Sequence, residues 1–256
     1  MFTQDFKQQP YWWDRSEPPM QQDIELPKKV DVLIIGSGYT GLHAAIQTAR
    51  GSRNTLVIDA EHAGWGGSTR NGGQVSINIK PSFSELEKKY GKNMTFAIHA
   101  EAKNSLQCTI DFIREEGLDC SYDVAGRFHA AHNSAQYEKL ARAVEHPIAG
   151  LEDGAYIIPK AEQRSELGTD TYFGGAIFPQ HASVDPAAYH KGLMGKARDA
   201  GASIISYCAA ENINRDKSGF SVKTSKGVVQ ADKVIIATNG YTGSLTPRLQ
   251  RRVIPI

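Results

Sequence analysis

Three glycines spaced G-x-G-x-x-G, directly after an apolar run, constrain this chain more than any other feature. The run is Val30-Asp31-Val32-Leu33-Ile34-Ile35, and the glycines are Gly36, Gly38 and Gly41. Such a run reads as a buried strand, and the residues from Tyr39 onward read as a helix. Gly36 permits a tight turn off the strand. Gly38 admits a close backbone approach to phosphate, and Gly41 lets the helix lie close on the strand. The helix N-terminus then offers unpaired N–H groups and the positive end of its dipole to an anion. Thr55-Leu56-Val57-Ile58 supplies the next strand, closed by Asp59, where a carboxylate accepts hydrogen bonds from a ribose. The pattern predicts a dinucleotide site on a β-α-β unit running from about Val30 to Asp59. The bland alternative is a glycine-rich strand-to-helix turn with no ligand, which leaves the placing of Asp59 to coincidence.

Composition narrows the partners. Of 256 residues, 29 are basic and 28 acidic, a formal net charge of +1. That balance argues against a broad electrostatic footprint for nucleic acid or an anionic membrane. No apolar run approaches the roughly 20 residues of a membrane span. Met1 to Gln9 is polar and has no apolar core segment, so no signal peptide is expected. Cys108, Cys120 and Cys208 are scattered and outside any C-x-x-C. They read as reduced thiols of a cytoplasmic protein, not as a disulfide or metal set. His129 and His132 fall on opposite faces of a strand-like run with no third ligand near, so no metal site is expected.

Elsewhere the chain alternates helix and strand signals. Residues 1–29 read as an N-terminal arm with an aromatic cluster, Pro10-Tyr11-Trp12-Trp13-Asp14. Its rings either pin the arm to the body or form a partner surface. The loop from Gly64 to Gln74 holds Gly64, Gly66, Gly67, Gly72 and Gly73, too many glycines for a helix or an ordinary strand. Residues 82–117 read as helical, with Gly117 as the stop. A helix from about Ser134 to Ala149 follows, then short strands near 156–158 and 172–178. Asp185-Pro186 opens another helix, Asp as N-cap and Pro in the first turn, reaching Gly201. Strands are expected at 203–207, 210–214, 219–224 and 233–238, the last ending in Asn239-Gly240. Residues 30–75 and 183–243 thus read as α/β elements around a parallel sheet, and 82–180 as a mixed insertion. No serine-histidine-acid set or nucleophilic cysteine is readable.

Three stretches together resemble the D-amino-acid oxidase superfamily of FAD-dependent oxidoreductases, which includes glycine and sarcosine oxidase-like enzymes. They are Gly36–Leu42 with Asp59, the Gly64–Gln74 loop, and Val234–Tyr241. The Ser68-x-Arg70-Asn71-Gly72-Gly73-Gln74 wording is especially similar to the γ-glutamylputrescine oxidoreductase branch. The resemblance implies a Rossmann-like FAD-binding domain over 30–80 and 183–245, and an inserted α+β substrate domain over 81–182 and 246–256. It also implies that the C-terminal part of the fold is missing.

FAD is the implied cofactor. Gly36, Gly38, Tyr39, Thr40 and Gly41 would hold its pyrophosphate, and Asp59 with Ala60 its ribose. Gly67, Ser68, Arg70, Asn71, Gly72 and Gly73 would run past the flavin. Ala209, Thr238, Asn239 and Gly240 would pass near the bound cofactor, with Asn239 departing from the commoner Ala-Thr-Gly wording. The implied reaction oxidises a C–N bond of an amine or amino acid by hydride transfer to the flavin, with oxygen or another compound as electron acceptor. Arg70 is the candidate cation for charge developing on the flavin, or else a loop arginine paired with phosphate or a surface acid. His181 is the candidate substrate-facing histidine, or else a structural one. Two other readings stay open: a truncated, non-catalytic dinucleotide-binding module and an NAD-dependent dehydrogenase. Gly41-Leu42-x-x-Ala45 and the second glycine loop favour FAD.

Overall fold

The computed structural model describes residues 3–17, 24–77 and 79–253. Parts of three expected segments lie outside these: 1–2 and 18–23 of the arm, 78 near the end of the first FAD-binding stretch, and 254–256 at the end of the expected substrate domain. In chain order the elements begin with α1 (Tyr11–Arg15), β1 (Lys29–Ile35), α2 (Tyr39–Arg50), β2 (Thr55–Ile58) and β3 (Gln74–Val75). Next come α3 (Phe83–Tyr90), α4 (Lys92–Glu115), β4 (Arg127–Ala130), α5 (Ser134–Glu145), β5 (Tyr156–Pro159), β6 (Gly174–Phe178) and β7 (Ala182–Ser183). The last are α6 (Pro186–Asp199), β8 (Ser203–Ile205), β9 (Ala210–Asp216), β10 (Gly219–Thr224), β11 (Gly227–Ile236) and α7 (Pro247–Gln250).

These elements divide into two compact units. The first comprises the described residues of Met1–Gly72, Leu118–Cys120 and Asp185–Ile256. Its sheet has the order β8-β2-β1-β11-β10-β9. Strands β8, β2, β1 and β11 are parallel, while β10 and β9 run antiparallel at one side. All four residues of β2 are buried, and so are the last four of β1. That explains why both read as near-continuous apolar runs: a central parallel strand is covered on both faces. Leu33, Ile35, Leu56, Ile58 and Ile205 join Val222 and Val229 in one core cluster. Helices α2 and α6 pack on each other, and Leu42, Ala45 and Ile46 of α2 and Leu193, Met194 and Ala197 of α6 are buried.

The second unit comprises Gly73–Gly117 and Ser121–Val184. It holds an antiparallel sheet, β4-β6-β5, a two-stranded ribbon, β3-β7, and helices α3 to α5. The helix expected over 82–117 is two helices. Ser82 starts α3 with a reciprocal capping box to Glu85. Gly91, at φ +79°, then ends α3 and precedes α4, a conformation no helix can pass through. Helix α5 stops at Glu145, short of Ala149, because His146 precedes Pro147 and is biased away from the helical region.

Candidate active site

The carboxyl ends of the parallel strands converge on one cavity of about 310 Å³ in the first unit. Gly36 and Gly38 reach it from β1, Asp59 and Ala60 from β2, Ala209 from beyond β8, and Thr238 and Asn239 from β11. Strand β1 lies between β2 and β11, so the chain leaves the sheet in opposite directions on its two sides. A crevice at such a switch point is where open α/β sheets take ligands.

The first glycine turn is built by close backbone approach. Gly36 sits at φ +105°, and a Cβ there would lie 2.5 Å from the Ala237 carbonyl oxygen. A Cβ on Gly41 would lie 1.9 Å from the Gly36 oxygen and 3.4 Å from Ile34 Cγ2. Gly38 differs: its absent Cβ would meet Ser68 Oγ at 2.9 Å. That hydroxyl accepts the Tyr39 N–H at 3.1 Å, at the start of α2. The side chain of Tyr39 turns toward α6, its hydroxyl donating to the Pro186 carbonyl at 3.1 Å and its ring meeting Tyr189 edge-on. Burial pushes the Tyr39 phenol up to about 12. Thr40 is exposed in the first turn of α2.

Asp59 does more than face the cavity. Its Oδ2 accepts the Ser37 N–H at 2.8 Å and the Ser37 hydroxyl at 2.5 Å, and its Oδ1 accepts the Glu61 N–H at 3.1 Å. Gly64 N–H donates to Ser37 Oγ at 3.2 Å, linking the two glycine segments. Below them, His190 of α6 donates from Nε2 to the Ser37 carbonyl at 2.7 Å. That bond fixes the tautomer, since a carbonyl can only accept. Burial holds the His190 imidazole below the ordinary histidine range. Sequence reasoning missed His190 and Ser37. The available signal was a polar residue on the apolar face of a helix, between Ala187 and Leu193.

The second glycine segment supplies a wall of the cavity through Gly64, Trp65, Gly66, Gly67 and Ser68. Trp65 and Tyr241 stand 5.6 Å apart between ring centroids, and both line the cavity, neither predicted from sequence. Arg70, Asn71, Gly72 and Gly240 do not line it. The exposed Arg70 lays its guanidinium 4.1 Å from the Trp65 ring centroid, within cation–π range. No described carboxylate forms a salt bridge with it. Asn71 donates to the carbonyls of Gly67 and Ser68 at 3.1 and 3.2 Å. Asn239 takes φ +46°, the left-handed region that glycine occupies freely and asparagine tolerates best among other residues. The departure from Ala-Thr-Gly therefore keeps the turn.

Two predicted residues belong to the second unit. Gly73 accepts the Val184 N–H at 2.8 Å. His181 stacks on Phe178 at 5.3 Å, and its buried Nδ1 has no hydrogen-bond partner among the described residues. Burial holds its imidazole below the usual range. Among the described residues no three His, Cys, Asp or Glu gather as metal ligands, and no helix is long and apolar enough to cross a membrane.

Comparison with known proteins identifies the family. Residues 31–256 match the model described as DAO, FAD dependent oxidoreductase. The chain is 29% identical to the probable oxidoreductase OrdL of Rhizobium meliloti (strain 1021), covering 96% of this chain and 58% of that one. It is 27% identical to the gamma-glutamylputrescine oxidoreductase of Escherichia coli (strain K12), covering 88% and 53%. The crystal structure of glycine oxidase from Geobacillus kaustophilus shares the fold at TM-score 0.73 and 20% identity, covering 87% and 59%. The chain thus spans somewhat more than half the length of these relatives. With the family model matched from the first strand onward, this chain belongs to the FAD dependent oxidoreductase (DAO) family.

Proposed function

We propose that this chain carries the FAD-binding portion of an oxidoreductase that oxidises a C–N bond of an amine or amino acid, with γ-glutamylputrescine-like amines as the first substrates to try. The carrying observation is the cavity at the strand carboxyl ends, floored by Gly36–Gly38 and faced by Asp59. Its residues fit FAD. Gly36 and Gly38 line the cavity with bare backbone, and α2 begins beside it. The cavity size lies at the small end of ligand sites, and Trp65, Tyr241 and Leu245 give it apolar walls. FAD, when bound, supplies the hydride acceptor.

In this reading the protein binds and orients. The Gly36–Gly41 turn, with Tyr39 and Thr40 at the start of α2, holds the pyrophosphate. Asp59 holds the ribose with the lone pairs that Ser37 and Glu61 leave over, Ala60 lying beside it. Gly67, Ser68, Asn71 and Gly72 carry the loop, with Gly73 at its end. Ala209, Thr238, Asn239 and Gly240 border the cofactor. Arg70, stacked on Trp65, supplies positive charge. We assign the first unit to the cofactor and the second to the substrate, with His181 as its neutral, acceptor-capable imidazole. The absence of a disulfide among Cys108, Cys120 and Cys208 supports a reducing, cytoplasmic setting.

The test is an absorption spectrum of the purified protein, followed by anaerobic addition of γ-glutamylputrescine, glycine or sarcosine. A flavin band that bleaches with one of these amines is expected. A colourless protein that takes up no added FAD overturns the cofactor reading. A flavin-loaded protein inert to every amine removes the oxidation and leaves a cofactor-binding module.

A further inference from the structure

The second glycine segment needs an external brace. Gly64, Gly66, Gly67 and Gly72 give it large backbone freedom, and its internal bonds are short-range: Thr69 Oγ1 to the Gly64 carbonyl at 2.6 Å, the turn bonds from Thr69 N–H to the Gly66 carbonyl at 3.4 Å and from Arg70 N–H to the Gly67 carbonyl at 3.2 Å, and Asn71 back to Gly67 and Ser68. The brace comes from the N-terminal arm. Trp13 Nε1 donates to Thr69 Oγ1 at 2.9 Å, and Trp12 Nε1 donates to the Asn71 carbonyl at 2.8 Å. The Trp13 ring meets His62 edge-on at 5.2 Å, just before the segment begins. The arm is fastened independently, Ser16 Oγ donating to Asp185 Oδ2 at 3.2 Å, the residue that caps α6. A relay therefore runs from Trp13 N–H through the buried Thr69 hydroxyl to the Gly64 carbonyl, and Gly64 lines the cavity.

We infer that Trp13, seconded by Trp12, is a positioning residue that pre-orders the Gly64–Asn71 segment, whose Gly64–Ser68 part lines the cavity, for FAD. This rests on the cofactor reading above. An unbraced glycine segment must be ordered at the moment of binding, which weakens affinity; a braced one is ordered beforehand. Trp13→Phe deletes the N–H together with the pyrrole ring and leaves a six-membered aromatic ring in place. Trp12→Phe does the same for the outer bond, and Thr69→Val deletes the relay hydroxyl at nearly constant shape. Thr69→Val leaves the Trp13 ring intact, so it is the control for lost packing.

The experiment is FAD titration of the apoprotein by flavin fluorescence, paired with thermal melts in the absence of FAD. Trp13→Phe is expected to raise the FAD Kd about fivefold, near the worth of one hydrogen bond. Thr69→Val should do the same, and the double variant should be little worse than either alone, because the two share one bond. If the wild-type apoprotein binds no FAD, the cofactor reading fails. If the wild type binds FAD and all three variants bind it equally well, the positioning role is overturned, even where their apoprotein melting points fall. Effects of Trp13→Phe and Thr69→Val that simply add also overturn the relay.

Discussion

The two glycine segments that border the cavity differ in how far close backbone approach sets their shape. The first, Gly36 to Gly41, is held by backbone against backbone: missing Cβ atoms would lie 2.5 Å and 1.9 Å from carbonyl oxygens. In the second, Gly67 and Gly72 would place a Cβ in open space, with nothing within 4 Å. Here glycine is not required sterically at those two positions, and shape comes from side chains: Ser37, Thr69, Asn71, Trp12 and Trp13. A backbone-built turn is rigid once its sheet forms. A side-chain-built loop depends on every partner being present, so it offers many small points of adjustment.

Gly41→Ala is the severest way to break the contrast. Its Cβ would overlap the Gly36 carbonyl, so helix and strand must separate, at a cost on the order of 3 kcal/mol. Urea unfolding should show it; an unchanged midpoint would mean the first turn is not sterically closed. Asp59→Ala comes next, because the carboxylate serves both the Ser37 turn and the ribose. A loss of about 1.5–3 kcal/mol of FAD affinity is expected by titration. Unaltered affinity would leave Asp59 as a brace for Ser37 alone. Asn239→Val forces a β-branched residue to φ +46° and should cost about 1–2 kcal/mol of stability, whereas Asn239→Gly should be neutral or better. Equal melting points for the two variants would contradict that geometry. The mildest is Gly72→Ala. With nothing near its Cβ, stability should move by no more than about 0.5 kcal/mol, the less flexible unfolded chain acting in its favour. A large loss there would erase the distinction between the segments.

Much of the first segment is legible in the sequence. Its strand, turn and helix follow from residues within a few positions of each other, and the Asp185-Pro186 start of α6 is equally local: Asp185 Oδ1 accepts the N–H groups of Ala187 and Ala188. The second segment was readable only as a glycine-rich loop. Its wall of Trp65 and Tyr241 joins residues from two distant stretches, and periodicity says nothing of such meetings. The long helical signal over 82–117 is right in type and wrong in continuity: Gly91 takes φ +79°, and that left-handed residue separates α3 from α4.

What the amino-acid order determined by itself is the parallel β-α-β unit, its G-x-G-x-x-G turn and the carboxylate at the end of the adjacent strand. Short-range sterics and capping decide all three. What only the tertiary structure decided is which side chains hold that turn and loop in place. His190 reaches Ser37 across 153 positions, and Trp13 reaches Thr69 across 56. Hydrogen bonds of that span depend on how the helix and the arm pack, and no local pattern encodes the packing.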